Sequence, residues 1–243
     1  MNILITGCSF GVPNYFGYPG VPEEHHIEFL LKSLGYTVYN CSLNGGSNLQ
    51  AIDRTEQFIN GKSIVHPAYK EHEFVRLENI TTKIDLLLWF HTDILRDYYS
   101  HCSGTPIDTA VEKLANITYQ KIADLVKTMD CKIAVVGGCS PINEIMYNYI
   151  TPDFIIEDWK SEIVGETLPY VQSLGAMSVI ENSPDTLDYK NDILAKHEYI
   201  LDKLKQSGHF PDGCHPGTRP HKNLSERLHK FIAGWRSGNS PGS

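Results

Sequence analysis

The sequence predicts a three-layer α/β/α chain, with helices on both faces of a doubly wound, five-stranded parallel sheet. Three observations predict it. Short apolar, β-branched runs alternate along the chain with longer segments of helical periodicity. Two of those runs, "IDLLLWF" (84–90) and "CKIAVVGG" (131–138), are almost wholly apolar, as strands covered on both faces must be. The length, 243 residues with 41% hydrophobic content, lies within the range of one α/β domain with its own core. We expect a single domain over residues 1–236.

The elements follow in order. Residues 2–6 form a buried first strand closed by Gly7. Residues 23–33 carry Ile27, Leu30, Leu31 and the adjoining Leu34 at helical spacing ahead of Gly35, and "YTVYN" (36–40) is the second strand. "SNLQAIDRTEQFI" (47–59) is a helix with Ser47 or Asn48 as its N-cap. After the third strand at 84–90, "DTAVEKLANITYQKIADLVKTM" (108–129) is a long amphipathic helix capped by Asp108. Beyond the fourth strand, residues 140–175 are irregular and rich in Pro, Tyr and Trp, and are read as an insertion near the open end of the sheet. "AMSVI" (176–180) is the fifth strand, and residues 185–206 and 224–235 are the last helices. The end, "RSGNSPGS", has nothing to bury, so residues 237–243 are expected to be a disordered tail.

Composition narrows the partners. A formal charge of −8 argues against a protein that tracks nucleic-acid phosphates, which needs a basic face. No run of about eighteen apolar residues is present, and Met1 leads into the first strand without a basic segment and an apolar core ahead of it. The six cysteines (Cys8, Cys41, Cys102, Cys131, Cys139, Cys214) include no CxxC pair. The expectation is a soluble, unprocessed cytoplasmic chain with reduced thiols, no membrane span and no nucleic-acid partner.

In a parallel sheet of this kind the ligand site lies outside the carboxyl ends of the strands. The loops that can meet there begin at Gly7, Asn40, Phe90 and Gly137. The first of them, "ITGCSFG", admits two readings. It resembles the TGxxxGxG turn of short-chain dehydrogenases, which holds the pyrophosphate of NAD(P) at a helix start, and Tyr199 and Lys203 form a YxxxK pair. But Pro13 stands at the third glycine position, with Pro19 and Pro22 beyond, so a helix cannot start where the phosphate would need it. The other reading is a nucleophile. Ser9 lies two residues past Gly7, and the rigid segment "FPDGCHPG" near the C-terminus places Asp212 three residues before His215. A serine nucleophile needs a base to take its proton, and the base needs an acid to orient it. Ser9, His215 and Asp212 supply those roles if the C-terminal loop returns to the first turn.

The set "GCSFG", "NCSLNGGSN", "WFHTD" and "DGCHPG" resembles the four blocks of the SGNH (GDSL-type) serine hydrolases in order and spacing across nearly the whole chain. That family has a flavodoxin-like α/β/α fold, in agreement with the strand pattern. The resemblance implies Ser9 as nucleophile, His215 and Asp212 as base and acid, and an oxyanion hole of the Ser9 and Gly45 backbone amides. Cys8 replaces the family's aspartate in the first block. The third block departs further: Thr92 stands where the family has the asparagine that donates to the oxyanion, with Asp93 in the aspartate's place. A threonine hydroxyl can donate one hydrogen bond, with a shorter reach than an amide. His91, Asp93 and Arg96 flank the same strand end as candidate substrate contacts, Arg96 for a carboxylate or sugar hydroxyl.

The implied activity is hydrolysis of a carboxylic ester through an acyl-enzyme, with no metal and no organic cofactor. The polar aromatic character of residues 140–175 points to a short acyl group on a carbohydrate, with Tyr147, Tyr149 and Trp159 as a roof for the pocket or as packing. The alternative is a non-catalytic module that holds a carbohydrate or a protein partner in the same cleft, for which the threonine of block three speaks. Cys8 is expected to be a buried small residue pointing away from Ser9. A metal site from His209, Asp212, His215 and His221 is disfavoured, because the prolines between them restrict convergence.

Overall fold

The computed structural model describes residues 1–12, 23–43, 45–62, 64–67, 74–77, 83–101, 106–138, 142–159, 162–163 and 216–238. In chain order the strands are β1 (Asn2–Gly7), β2 (Thr37–Asn40), β3 (Ile64–Pro67), β4 (Phe74–Leu77), β5 (Leu86–His91), β6 (Lys132–Gly137) and β7 (Phe154–Ile156). Five of them form one sheet in the order β2-β1-β5-β6-β7, every pair parallel. Counted along the sheet's own strands this is the 2-1-3-4-5 order of flavodoxin-like folds. The other two, β3 and β4, pair antiparallel as a separate two-stranded sheet with no counterpart among the predicted elements.

The helices are α1 (Ile27–Ser33), α2 (Asn48–Ile59), α3 (Ile94–His101), α4 (Ile107–Met129) and α5 (Thr218–Arg236). Strand side chains alternate between two cores. Leu4, Leu87, Trp89, Ile133 and Val135 pack with Leu49, Ile52 and Phe58 of α2, Ile94 of α3, and Leu114, Tyr119 and Ile122 of α4. Their neighbours in sequence, Ile3, Ile5, Leu86, Leu88, Phe90, Ala134 and Val136, pack with Ile27 and Leu31 of α1 and Leu224, Leu228 and Ile232 of α5. A period-two strand with both faces covered accounts for the unbroken apolar runs of β5 and β6. Each large side chain buried in this way contributes about 1.5–3 kcal/mol. The architecture is a three-layer α/β/α sandwich.

Local chemistry sets the ends of the elements. Ser47 caps α2, its hydroxyl accepting from the Gln50 N–H while the Gln50 side chain accepts from the Ser47 N–H. Asp108 does not cap α4. That helix starts at Ile107 with Pro106 at the N-cap, so Asp108 lies in the first turn. The last helix starts at Thr218, well before Leu224, because Pro220 falls in a first turn whose N–H groups have no intrahelical partner to lose.

The stretch expected to be irregular also holds structure. Phe154–Ile156 pairs with β6 and forms the sheet edge, and Trp159 and Ile163 are buried in the α1/α5 core. The fifth strand expected at 176–180 and the helix at 185–206 lie outside the described residues. No helix among the described residues is long and apolar enough to cross a membrane.

Candidate active site

The chain runs from β1 to β2 on one side and returns to β5 on the other, so the crevice beyond the carboxyl ends of β1 and β5 is the sheet's switch point. Backbone bonds stitch the four loops into one rim. The Leu43 N–H donates to the Gly7 carbonyl at 2.8 Å, the Cys8 N–H to Phe90 at 3.2 Å and the Gly138 N–H to His91 at 3.0 Å. Gly7 makes the close approach possible. It adopts φ +123°, and a Cβ there would lie 2.1 Å from the Phe90 carbonyl oxygen.

Ser9 opens a 3₁₀ turn, Ser9–Gly11, directly past this junction. Its neighbours anchor the turn. Cys8 is buried, and Phe10 is buried with its ring 6.0 Å from Trp159. Asp212 and His215 lie outside the described residues. His221, one of the residues weighed as a metal ligand, is buried in α5 with its ring 4.4 Å from that of His26. Among the described residues no group of three or more His, Cys, Asp or Glu side chains gathers as a metal would require.

The second loop is tied to the first through Asn40. Its amide nitrogen donates to the Gly11 carbonyl at 2.7 Å and to Glu28 at 2.9 Å, while its oxygen accepts the Ser42 N–H at 3.0 Å. Gly45 is exposed at φ +66° with open space around its α-carbon. Left-handed backbone, and not crowding, calls for glycine there.

At the third loop, the side-chain amide of Asn48 pairs with both backbone groups of Thr92, donating to its carbonyl at 2.8 Å and accepting its N–H at 3.0 Å. The Thr92 hydroxyl is buried and has no hydrogen-bond partner among the described residues; the same holds for Ser42 on the neighbouring loop. Asp93 starts α3, its carboxylate accepting the Leu95 N–H at 2.9 Å and its carbonyl the Arg96 N–H at 3.0 Å. Arg96 sits half-buried in the first turn of α3.

His91 lies deeper than a strand-end residue would. β5 extends to it, in register with Gly137, and it is 1% exposed. Its Nε2 lies 3.0 Å from the Tyr119 hydroxyl of α4, and the two rings stack at an interplanar angle of 16°. Burial holds the imidazole down at about 3, so it is neutral at physiological pH, and burial also pushes the Tyr119 phenol up. His91 and Asp93 therefore spend their visible polar contacts inside the protein, on α4 and on the start of α3. The Cys41 thiol, pushed up by burial to about 12, is no thiolate.

Two residues at the site escaped the sequence reading in this role. The sequence offers Asn48 only as a possible helix cap. Asp97 is wholly buried on α3, where it accepts the Leu49 N–H at 2.8 Å and side-chain donors from Asn48 and Thr118. A second acid, four residues after Asp93 in a short helix, was the available signal.

No family model matches the chain, and no curated protein matches it. Among solved structures it is similar to the psychrotrophic esterase EstA from Pseudoalteromonas sp. inhibited by monoethylphosphonate, at 12% identity and a TM-score of 0.45 over 97% of this chain and 98% of that one. A second solved structure is similar at 14% identity and a TM-score of 0.43, over 96% of each chain. Likeness this distant carries no weight for activity, and the fold stands on the strand order and register given above.

Proposed function

We propose that this chain hydrolyses carboxylic esters through an acyl-enzyme on Ser9. In this reading His215, oriented by Asp212, takes the Ser9 proton as the hydroxyl attacks the ester carbonyl. The backbone amides of Ser9 and Gly45 and the hydroxyl of Thr92 hold the oxyanion, His215 protonates the leaving alcohol, and water releases the acid by the same steps.

The observation that carries the reading is the state of Thr92. Its backbone is clamped at the switch point while its buried hydroxyl goes unpaired among the described residues. Buried hydroxyls are normally satisfied, and leaving one unsatisfied costs about 1–3 kcal/mol. An unspent donor at this strand end is available to a charge that exists only in the transition state, and this supports the reading. For the substrate, the case for a short acyl group on a carbohydrate is thinner than the aromatic content of 140–175 implied. Trp159 is core, and the Tyr149 hydroxyl donates to Asn116 at 2.6 Å, which leaves Tyr147 as the exposed ring of the three.

Thr92→Val tests the role of the hydroxyl, because it removes that group at nearly constant shape. We expect unchanged or slightly higher stability to urea, and a kcat on p-nitrophenyl acetate lowered about 10- to 100-fold with little change in KM. An unchanged kcat would remove Thr92 from the oxyanion hole. A wild-type chain that turns over no ester would instead favour the binding-module reading.

A further inference from the structure

We infer that Asp97 is a positioning residue, which fixes the side-chain amide of Asn48 and through it the spacing between the loop bearing Gly45 and the strand end bearing Thr92. Only its effect on rate rests on the hydrolase reading. Asn48, Thr92, Asp97 and Thr118 are all 0% exposed, so the cluster works without solvent. The Asn48 amide can satisfy Thr92 in one orientation alone, with Oδ1 on the N–H and Nδ2 on the carbonyl.

Asp97 enforces that orientation. Its Oδ2 lies 3.2 Å from Asn48 Nδ2 and 3.3 Å from the Thr118 hydroxyl, and its Oδ1 accepts the Leu49 N–H at 2.8 Å. With donors on both oxygens, the group acts as an acceptor toward Asn48. A flipped amide would set its oxygen against both this carboxyl and the Thr92 carbonyl, so the flip is closed off. The geometry also spans the fold, because Asp97 belongs to α3, Thr118 to α4, Asn48 and Leu49 to the start of α2, and Thr92 directly follows β5. Gly45 lies three residues before Asn48, on a short connection whose Ser47 is itself fixed by the capping box. A displacement at Asn48 therefore moves Gly45 relative to Thr92.

The test uses the full chain with Asp97→Asn, whose amide would present an N–H to the Asn48 N–H or lose the bond to Leu49. Two readouts are taken: kinetics on p-nitrophenyl acetate, and amide hydrogen exchange at Thr92 and Gly45–Ser47 compared with residues in the middle of α2 and β6. We expect kcat to fall about 10- to 100-fold with KM held within about twofold. Exchange at Thr92 and Gly45–Ser47 should speed up at least about tenfold more than in α2 and β6. Thr118→Val, which removes one of the donors to Asp97 Oδ2, should lower stability modestly and speed exchange at Thr92 less than Asp97→Asn does. Uniform acceleration of exchange across the chain, or an unchanged kcat in an active enzyme, would overturn the inference and leave Asp97 as a packing residue. If the wild type hydrolyses no ester, the hydrolase reading fails separately, and the exchange pattern alone decides: selective loosening at Thr92 and Gly45–Ser47 supports the clamp, and its absence overturns it. Should Asp97→Asn not fold, Asn48→Ser, read in the same two ways, decides the question.

Discussion

Ser9→Ala is expected to abolish the hydrolysis of short-chain p-nitrophenyl esters, lowering kcat by about 10⁴-fold or more. The expectation follows from the chemistry. Without an alcohol there is no acyl-enzyme, and the His215 imidazole has no proton to take. What survives is binding and any oxyanion stabilisation, acting on water as a poor nucleophile. His215→Ala should cost nearly as much, and the double variant little more than either single one, because the two groups act as a unit. The threonine at position 92 sets the starting point. Losing one oxyanion donor outright typically costs about 10²–10³-fold, so a wild-type rate below that of a full oxyanion hole is consistent with the reading. Steady-state kinetics on p-nitrophenyl acetate and butyrate check it, and a Ser9→Ala protein that retains more than a few per cent of the rate would contradict it.

The second large effect concerns stability in acid. His91 is buried against Tyr119 and Trp89, and burial holds its folded-state value at about 3 against an ordinary 6.5. Above pH 6.5 the imidazole is neutral in both folded and unfolded chains and contributes nothing to the pH dependence. As pH falls below 6.5 the unfolded chain takes up the proton and the folded chain does not, so stability drops by about 1.4 kcal/mol per pH unit until pH approaches 3. Between pH 7 and pH 4 this amounts to about 3 kcal/mol from one residue. His91→Gln has no proton to gain and can still meet the Tyr119 hydroxyl. Urea unfolding at pH 7 and pH 4 should therefore show the wild type losing about 3 kcal/mol more than the variant. Equal losses in the two proteins would mean that the imidazole is not held neutral by the fold.

His91 also shows where a sequence stops being legible. The run "LLLWF" reads as a strand ending at Phe90, which turns the next residue into a loop residue facing the site. Pairing with β6 carries β5 one residue further, and alternation with Trp89 then turns His91 into the α4 core. That single step lies in the register, which a lone strand does not display. The strands β1, β5 and β6 were readable because their apolar runs are long enough to stand out without partners, and β2 because it follows Gly35 at the end of a helical pattern. β7 is not, since Phe154–Ile156 is too short for any period to be seen and is a strand by virtue of its bonds to β6. The same holds for the short strands of the β3–β4 sheet, which among the described residues pair only with each other. The rim of the candidate site was legible, because parallel-sheet topology places the turns after β1, β2 and β5 together whatever their sequence. The Asp97–Asn48 clamp was not, because it joins residues 49 positions apart by side-chain contact alone.

The central claim is that a serine at the first turn and a histidine near the C-terminus meet at this rim to form one nucleophilic centre. A fluorophosphonate probe tests it most directly, because such probes bond to serines made nucleophilic by a neighbouring base. After treatment of the full chain, peptide mass mapping should place the adduct on Ser9, with labelling lost in Ser9→Ala and strongly reduced in His215→Ala. An adduct on another residue, undiminished labelling of Ser9→Ala, or labelling of Ser9 indifferent to the loss of His215 would contradict it.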